Sequence, residues 1–428
     1  HMSKNLDAKK FLESGAADET LSVLYGAEAV EAQKARYEKL AAQHIEKFGP
    51  REGMRFVSAP GRTEIIGNHT DHNNGCVVAA AVNLDTVAAV TPNDTGVVTL
   101  YSEGYARPFV VDLADLTPVE REKETTYALI RGVAARMKEL GYTIGGFDAA
   151  VTSTVFKGSG LSSSAAFEVL LCAIFDSLYN GFVVDAKLRA LISQHAENVF
   201  FGKPCGLMDQ MASSVGGLVA IDFKDKANAA VTAMNLDFAA AGYVPVVVTA
   251  GGEHGNLTAD YAAIPAEMKQ VAAALGASVL REIAPEDMER AIPQLKNKVS
   301  DRAILRALHF YDENKRAQDI VPAIEQGDIP TFLRLLIESG ESSWMLLQNL
   351  YVAASSNQEM PLALEMSRRM LQGKGAWRIH GGGFAGTILA FVPAKMLEEY
   401  TRTMNAVFGE GAVTPLRIRP LGAVQIVC

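Results

Sequence analysis

Apolar and polar positions alternate in blocks along the chain, and each block carries its own period. Residues 147–154 are apolar and β-branched and predict a strand; residues 167–178 are apolar almost without a break and predict a buried helix. Val30, Tyr37, Leu40, Ala41, Ile45 and Phe48 recur at helical spacing with charges between them, which predicts an amphipathic helix over 28–48. Lys34 interrupts its first turn, and Gly49-Pro50 stops it. Residues 17–26 are polar and mixed and show no period. Residues 55–58 read as a short strand ending at Ala59-Pro60-Gly61, and 76–91 as a strand or hairpin. Further β runs follow at 97–102 and 109–113, then a helix at 126–140 with Tyr127, Ile130, Ala134, Met137 and Leu140 on one face. A helix is predicted at 185–200 and a strand at 217–223. The second half predicts strands at 243–249, 387–392 and 423–428, and a turn at 251–254. Its helices fall at 259–275, 300–325, 329–349, 360–373 and 394–408. Strands and helices mixed along the whole length predict an α/β chain. The polar stretch 224–230 is the expected linker between a domain over 1–223 and a second over 231–428.

The strand at 147–154 and the helix at 167–178 are joined by the turn from Phe156 to Ala166, which holds Gly158, Gly160, Leu161, Ser162, Ser163 and Ser164. The glycines can take positive φ and let the backbone approach a ligand. The serines fall in the first helical turn, where N–H groups have no partner within the helix. Such a terminus, at the positive end of the helix dipole, makes an anion site, and three hydroxyls add contacts for phosphate oxygens or a metal ion. Serine is also a good N-cap in any fold, so the turn alone leaves a plain capped helix open. No Lys-Ser or Lys-Thr pair follows the glycines, so this is not the common P-loop.

With 428 residues, 49% of them hydrophobic, the chain can bury a large core. Its formal charge of −9 and the lack of a basic run argue against nucleic acid as a partner. Cys76, Cys172, Cys205 and Cys428 are widely spaced, with neither metal-ligand pairing nor a disulfide framework, and suit a reducing cytosol. His1-Met2 reads as a cloning scar with no signal-peptide pattern after it, and no apolar run is long enough to span a bilayer.

The segment 61–75 packs Arg62, Asn68, His69, Asp71 and His72 between apolar strands. So many directional donors and acceptors suit a polyhydroxy ligand. Two histidines and an aspartate are also metal-ligand types, but their spacing fits no zinc pattern. A turn-rich surface loop is the plainer alternative, from the Asn-Asn-Gly end. The segment 202–213 sets Asp209 among apolar and small residues, as a functional carboxylate or equally as a helix N-cap. Gly381-Gly382-Gly383 precedes the strand at 387–392 and allows two segments to pack backbone to backbone.

Four of these segments, in this order, resemble motifs of the GHMP kinases, and of those the galactokinase pattern. Pro60-Gly61-Arg62 through Asp71 is similar to that family's sugar-binding signature, and Gly158 through Ala166 to its ATP-phosphate motif. Cys205 through Ser213 is similar to the segment with its catalytic aspartate, and Gly381 through Gly386 to its third motif. His309 through Arg316 is a weaker match. The resemblance covers roughly residues 30 to 428. It implies a two-domain α/β (α+β) fold with the active site in the cleft between domains. It also implies transfer of the ATP γ-phosphoryl group to the anomeric hydroxyl of a sugar, D-galactose first among them, with Mg²⁺. Residue by residue, it implies Asp209 as the base and Arg62 beside it. Gly158, Gly160, Leu161, Ser162, Ser163 and Ser164 would hold the nucleotide phosphates, Ser163 and Glu197 the Mg²⁺. Asn68, His69, Asp71 and Tyr261 would face the sugar. The expected partners are ATP and a small sugar, with neither nucleic acid nor membrane, for a monomer in the cytoplasm.

The chain departs from the galactokinase pattern near the sugar. Asn68 stands where the family usually has Glu, Glu64 where it has Asn, His72 where it has Tyr, and Phe156 where it has Pro; Ala262-Ala263 replaces a basic pair. Asn68 is therefore expected to weaken galactose binding modestly and to relieve repulsion of a sixth-position carboxylate. Galacturonate kinase activity and a silent galactose/ATP sensor are the two rival functions. Glu64, four residues earlier, complicates the first of these: turned inward, it would replace the missing carboxylate.

Overall fold

The computed structural model describes residues 7–251, 257–384 and 386–428. The expected turn at 251–254 lies, except for Gly251, outside them, and so does Ala385. Two sheets organise the chain. The eight-stranded sheet is built on one long strand, β2 (Cys76–Pro92), which follows β1 (Arg55–Ile66). The predicted strand or hairpin at 76–91 is thus a single strand. One edge of β2 pairs antiparallel with β1 along its length. The other edge is shared: its first half pairs with β6 (Leu218–Asp222), its second with β5 (Phe147–Ser153). Outward from β5 come β3 (Val97–Ser102), parallel to it, and β4 (Phe109–Asp112). The four-stranded sheet has the order β11 (Val413–Pro415), β8 (Tyr243–Gly251), β10 (Gly386–Pro393), β9 (Ala376–His380).

Both faces of the larger sheet are covered, which is why residues 76–82 and 87–90 of β2 are apolar without alternation and buried on both sides. Val57, Ala59, Ala88, Val90 and Val151 pack on the helices Thr126–Glu139 and Ser163–Tyr179. Their neighbours Phe56, Val87, Ala89 and Ala150 face the other way, onto the helix Val30–Phe48. Residues 17–26 also join that face. They lack a clear period, yet Leu21, Leu24 and Tyr25 are buried in the helix Asp18–Tyr25. A further core lies between the sheets: Val78, Ala80 and Val82 of β2 meet Leu389 and Phe391 of β10 and the helices Asp301–Glu325 and Ile329–Ser342.

The stretch 224–230 connects β6 to β7 (Ala230–Met234), its antiparallel neighbour in the larger sheet. It is therefore the turn of a hairpin, and the chain crosses to the second sheet only after Met234. The last strand, β12 (Val424–Val427), returns to pair with β1. The division at 231 thus leaves two strands of the larger sheet, β7 and β12, on the second side.

Strand β1 does not end at Ala59-Pro60-Gly61. It continues to Ile66 through register shifts at Pro60/Arg62 and Glu64/Ile66. Bulges of this kind re-aim side chains, and here they bring two polar residues, Arg62 and Glu64, to one cavity.

Candidate active site

The cavity holds about 260 Å³ and lies where β1, the turn after β5 and the loop after β9 converge. Arg62 is buried at its wall and donates through Nε to Asp209 Oδ1 at 2.5 Å, and through Nη1 to the Gly160 carbonyl at 2.8 Å. Burial disfavours the guanidinium charge, but Asp209 opposite it more than compensates and raises the Arg62 pKa. Asp209 lies in the first turn of the helix Met208–Val215, whose N-cap position is Leu207, so it is not the capping residue. Its other oxygen, Oδ2, accepts from Ser162 Oγ at 2.8 Å.

Ser162 occupies the N-cap position of the helix Ser163–Tyr179, yet its side chain does not cap. Its hydroxyl is turned to Asp209 instead, and its φ of 62° is left-handed. A non-glycine residue held in this region points to a functional constraint. The first-turn N–H groups at Ser163 and Ser164 thus carry no side-chain cap from Ser162. Gly160, at φ +78°, has a close neighbour: a Cβ there would sit 2.7 Å from Thr387 Oγ1 and 3.2 Å from His380 Nδ1. Gly158 has open space around it. Gly160→Val is expected to lower kcat/KM for ATP about tenfold or more, because the strained φ and the contact with β10 displace the turn. Kinetics on a variant whose melting is unchanged checks this; an unaltered ATP dependence overturns it.

The sugar-signature segment forms the opposite wall. Asp71 keeps room for its carboxylate because position 206 is glycine: a Cβ there would lie 2.7 Å from Asp71 Oδ2. His69 has φ 60° and donates through Nε2 to the Gly382 carbonyl at 2.8 Å. Nδ1 remains an acceptor with no partner among the described residues. Burial pushes the His69 pKa down to about 4, so the ring is neutral. Asn68 is buried, and its amide is held by Gly381, Asn349 and Ser343. Glu64 is buried beside it, accepts from the Gly381 N–H at 3.1 Å, and has its pKa raised by burial against the opposing pull of Arg378 and Arg62.

Glu197 enters where the helix Ala186–His195 loosens into a π-helical turn, Ala196–Phe201, a distortion frequent at functional sites. Gln210 Nε2 donates to Glu197 Oε2 at 2.9 Å. Behind it Glu168 is fully buried, and burial together with nearby Glu197 raises its pKa well above the usual range.

Of the residues named from the sequence, Arg62, Asn68, His69, Asp71, Ser162, Ser164, Glu197 and Asp209 line the cavity. Gly158, Gly160, Leu161 and Ser163 belong to the adjoining turn and do not line it. Tyr261 does not line it either: its ring packs on Phe384 and its hydroxyl donates to the Gly383 carbonyl at 2.6 Å. The sequence reading passed over Lys203, Gln210 and Glu168. Lys203 and Gln210 line the cavity within or beside the segment that singled out Asp209. The signal for Glu168 is a carboxylate at the start of the mostly apolar run 167–178, which holds one other, Asp176, near its end.

Two family models match: the galactokinase galactose-binding signature over residues 42–92, and the GHMP kinases N terminal domain over residues 128–217. The chain is 31% identical over 365 residues to a galactokinase of Streptomyces coelicolor, covering 84% of this chain and 90% of that one. It is equally similar, 31% over 368 residues, to a galactokinase of Glaesserella parasuis, covering 84% and 91%. In fold it is similar to the crystal structure of Lactococcus lactis galactokinase complexed with galactose, with TM-score 0.76 and 22% identity over 90% of this chain and 98% of that one.

Proposed function

Because the chain belongs to the galactokinase family of the GHMP kinases, we propose that it transfers the γ-phosphoryl group of ATP to the anomeric hydroxyl of D-galactose, giving galactose 1-phosphate. The observation that carries this reading is the double contact of Asp209 with Arg62 and Ser162, which ties a carboxylate to the phosphate turn on one side of a polar cavity. Phosphoryl transfer asks chiefly for positioning and charge stabilisation. In this reading Asp209 takes the proton of the attacking hydroxyl, a contribution of about 10²–10⁴-fold. Arg62 pairs with that carboxylate and faces the charge on the transferring group. The turn from Gly158 to Ser164 holds the nucleotide phosphates with helix N–H groups and hydroxyls. His69 and Asp71 accept from sugar hydroxyls.

Among the described residues no three His, Cys, Asp or Glu side chains converge as a metal cage. Hard oxygen donors do stand at the phosphate turn, and Mg²⁺ is commonly held by one or two carboxylates plus substrate phosphates. Ser163 and Glu197 are the residues that would hold it, and when bound it neutralises phosphate charge. We take the enzyme to act on two small molecules in the cytosol, as a monomer. In support, the formal charge is −9, the four cysteines are free, and among the described residues no helix is long and apolar enough to cross a membrane.

The test is ADP release with galactose, glucose, arabinose and N-acetylgalactosamine as acceptors, with the product identified by NMR. Galactose-dependent ADP release with phosphate on the anomeric oxygen is expected. ADP release no faster with galactose than without sugar overturns the reading.

A further inference from the structure

Two side chains at the sugar wall, Glu64 and Asn68, lie four residues apart and touch. A primary amide offers two N–H donors and an oxygen with two lone pairs. In Asn68 all four are engaged by the protein. Nδ2 donates to the Gly381 carbonyl at 2.7 Å and toward the Glu64 carboxylate at 3.4 Å. Oδ1 accepts from Asn349 Nδ2 at 2.9 Å and from Ser343 Oγ at 3.2 Å. The residue is 1% exposed, and its backbone is clamped as well, by Glu313 at its N–H and His309 at its carbonyl. Nothing in the Asn68 amide is left to bind a ligand.

Glu64 differs. Oε2 accepts from the Gly381 N–H at 3.1 Å, while Oε1 has only the long contact to Asn68. The side chain lines the cavity; burial raises its pKa, and the Arg378 and Arg62 guanidiniums beside it pull the other way. One carboxylate oxygen is therefore fixed by the main chain and the other retains capacity to accept. The cavity wall also carries Asp71, Glu197 and Asp209, against Arg62 and Lys203 as its cations. An uncharged donor such as a hydroxyl is welcome in this setting, and a second carboxylate is not. At an effective dielectric near 20, two such charges about 4 Å apart repel by enough to suppress binding several-hundredfold.

On the reading of the protein as a galactose kinase, we infer that Glu64 is the specificity-determining carboxylate of the sugar site and that Asn68 is its positioning residue. Glu64 accepts from a hydroxyl that is not phosphorylated and excludes sugars bearing a carboxylate. This reverses the expectation from position 68 alone. Asn68 does not open the site to galacturonate, because the carboxylate missing at 68 is supplied from 64.

The experiment compares galactose, galacturonate and the four monodeoxygalactoses, modified at carbon 2, 3, 4 or 6, as acceptors for wild type, Glu64→Gln and Glu64→Asp. Wild type is expected to reject galacturonate by about a hundredfold or more in kcat/KM. Glu64→Gln should raise the galactose KM about tenfold, as hydrogen bonds to charged groups outweigh neutral ones. It should also raise the galacturonate-to-galactose ratio at least about tenfold and flatten the penalty for one deoxy sugar only. Glu64→Asp keeps the charge and should keep the rejection. A merely structural Glu64 would move stability or kcat for all acceptors alike. The inference is overturned if wild type takes galacturonate within tenfold of galactose, a comparison that needs no variant to fold. It is also overturned if folded Glu64→Gln leaves the ratio unmoved. Neither result touches the galactose-kinase reading, which fails if wild type releases ADP no faster with galactose than without sugar.

Discussion

Asp209→Asn is expected to cut turnover by about 10²–10⁴-fold while sugar and ATP affinity stay within a few fold. The geometry makes this substitution clean. Asp209 has one donor on each oxygen, Arg62 Nε on Oδ1 and Ser162 Oγ on Oδ2. An asparagine can keep its carbonyl toward Arg62 and turn its NH₂ toward Ser162, whose hydroxyl rotates to accept. The wall of the cavity then survives, and what is lost is the proton acceptor and one negative charge. Arg62 is left buried without its counter-charge, so a modest loss of stability accompanies the variant. Steady-state kinetics beside calorimetric binding of galactose and of a nucleotide separates the two effects. Turnover within threefold of wild type would sink the assignment of Asp209 as base. A parallel collapse of both affinities would make it a structural carboxylate instead.

The parts of this site that were legible in the sequence are those in which backbone and side-chain chemistry coincide locally. Gly158 and Gly160 mark a strand-to-helix turn because glycine suits its positive φ, and the serines at 162–164 place hydroxyls beside its uncapped N–H groups. What was not legible depends on contacts between distant segments. Asn68 reads from its own segment as a ligand-facing amide; its protein partners at 343, 349 and 381 lie more than 270 positions away. Tyr261 is expected at the sugar from the family resemblance alone; its contacts with Gly383 and Phe384 again come from a distant segment. The strand β9 escaped notice because its Gly375-to-Gly383 surroundings read as a loop, although Ile379 and Arg378 are fully enclosed. Strand β1 was cut short at Pro60-Gly61, residues that usually punctuate strands, because a bulge is invisible until the partner strand is known. The N-terminal helices Ala8–Glu13 and Asp18–Tyr25 are hidden in the sequence for a related reason. Their few apolar side chains are too sparse to set a period, but each finds a place on the covered face of the larger sheet.

The same dependence on remote contacts explains the weakest of the sequence matches, the run from His309 to Arg316, and yields a stability prediction. It lies on the helix Asp301–Glu325 and grips the sugar-signature segment from behind. Glu313 is fully buried and accepts through Oε2 from the N–H groups of Gly67 and Asn68, at 3.2 and 3.0 Å, and from Ser339 Oγ at 2.5 Å. Arg316 Nε donates to its other oxygen at 2.7 Å. Asn314 Oδ1 accepts from the Cys76 N–H at 2.7 Å, at the far end of the same segment. Burial alone would raise the Glu313 pKa, but Arg316, His309 and Arg378 overcome it and hold it at about 2. A carboxylate whose folded-state pKa lies below its unfolded value stabilises the fold above the unfolded pKa and loses that contribution as pH falls through the folded one. Glu313→Ala is therefore expected to cost about 3–5 kcal/mol at pH 7, as for breaking a buried ion pair. The gap between variant and wild type should narrow as the pH is lowered from about 4.5 toward 2. Glu313→Gln keeps an acceptor for the two N–H groups and should lose less, and because its amide does not titrate, its smaller gap to wild type should narrow over the same pH range. Because the held segment presents Asp71, the galactose KM should rise in both variants while ATP affinity changes little. Denaturant unfolding at pH 7 and pH 3.5 reads the first effect and acceptor kinetics the second. A Glu313→Ala protein within 1 kcal/mol of wild type at neutral pH, or a gap that widens on acidification, would show that this carboxylate does not hold the sugar wall in place.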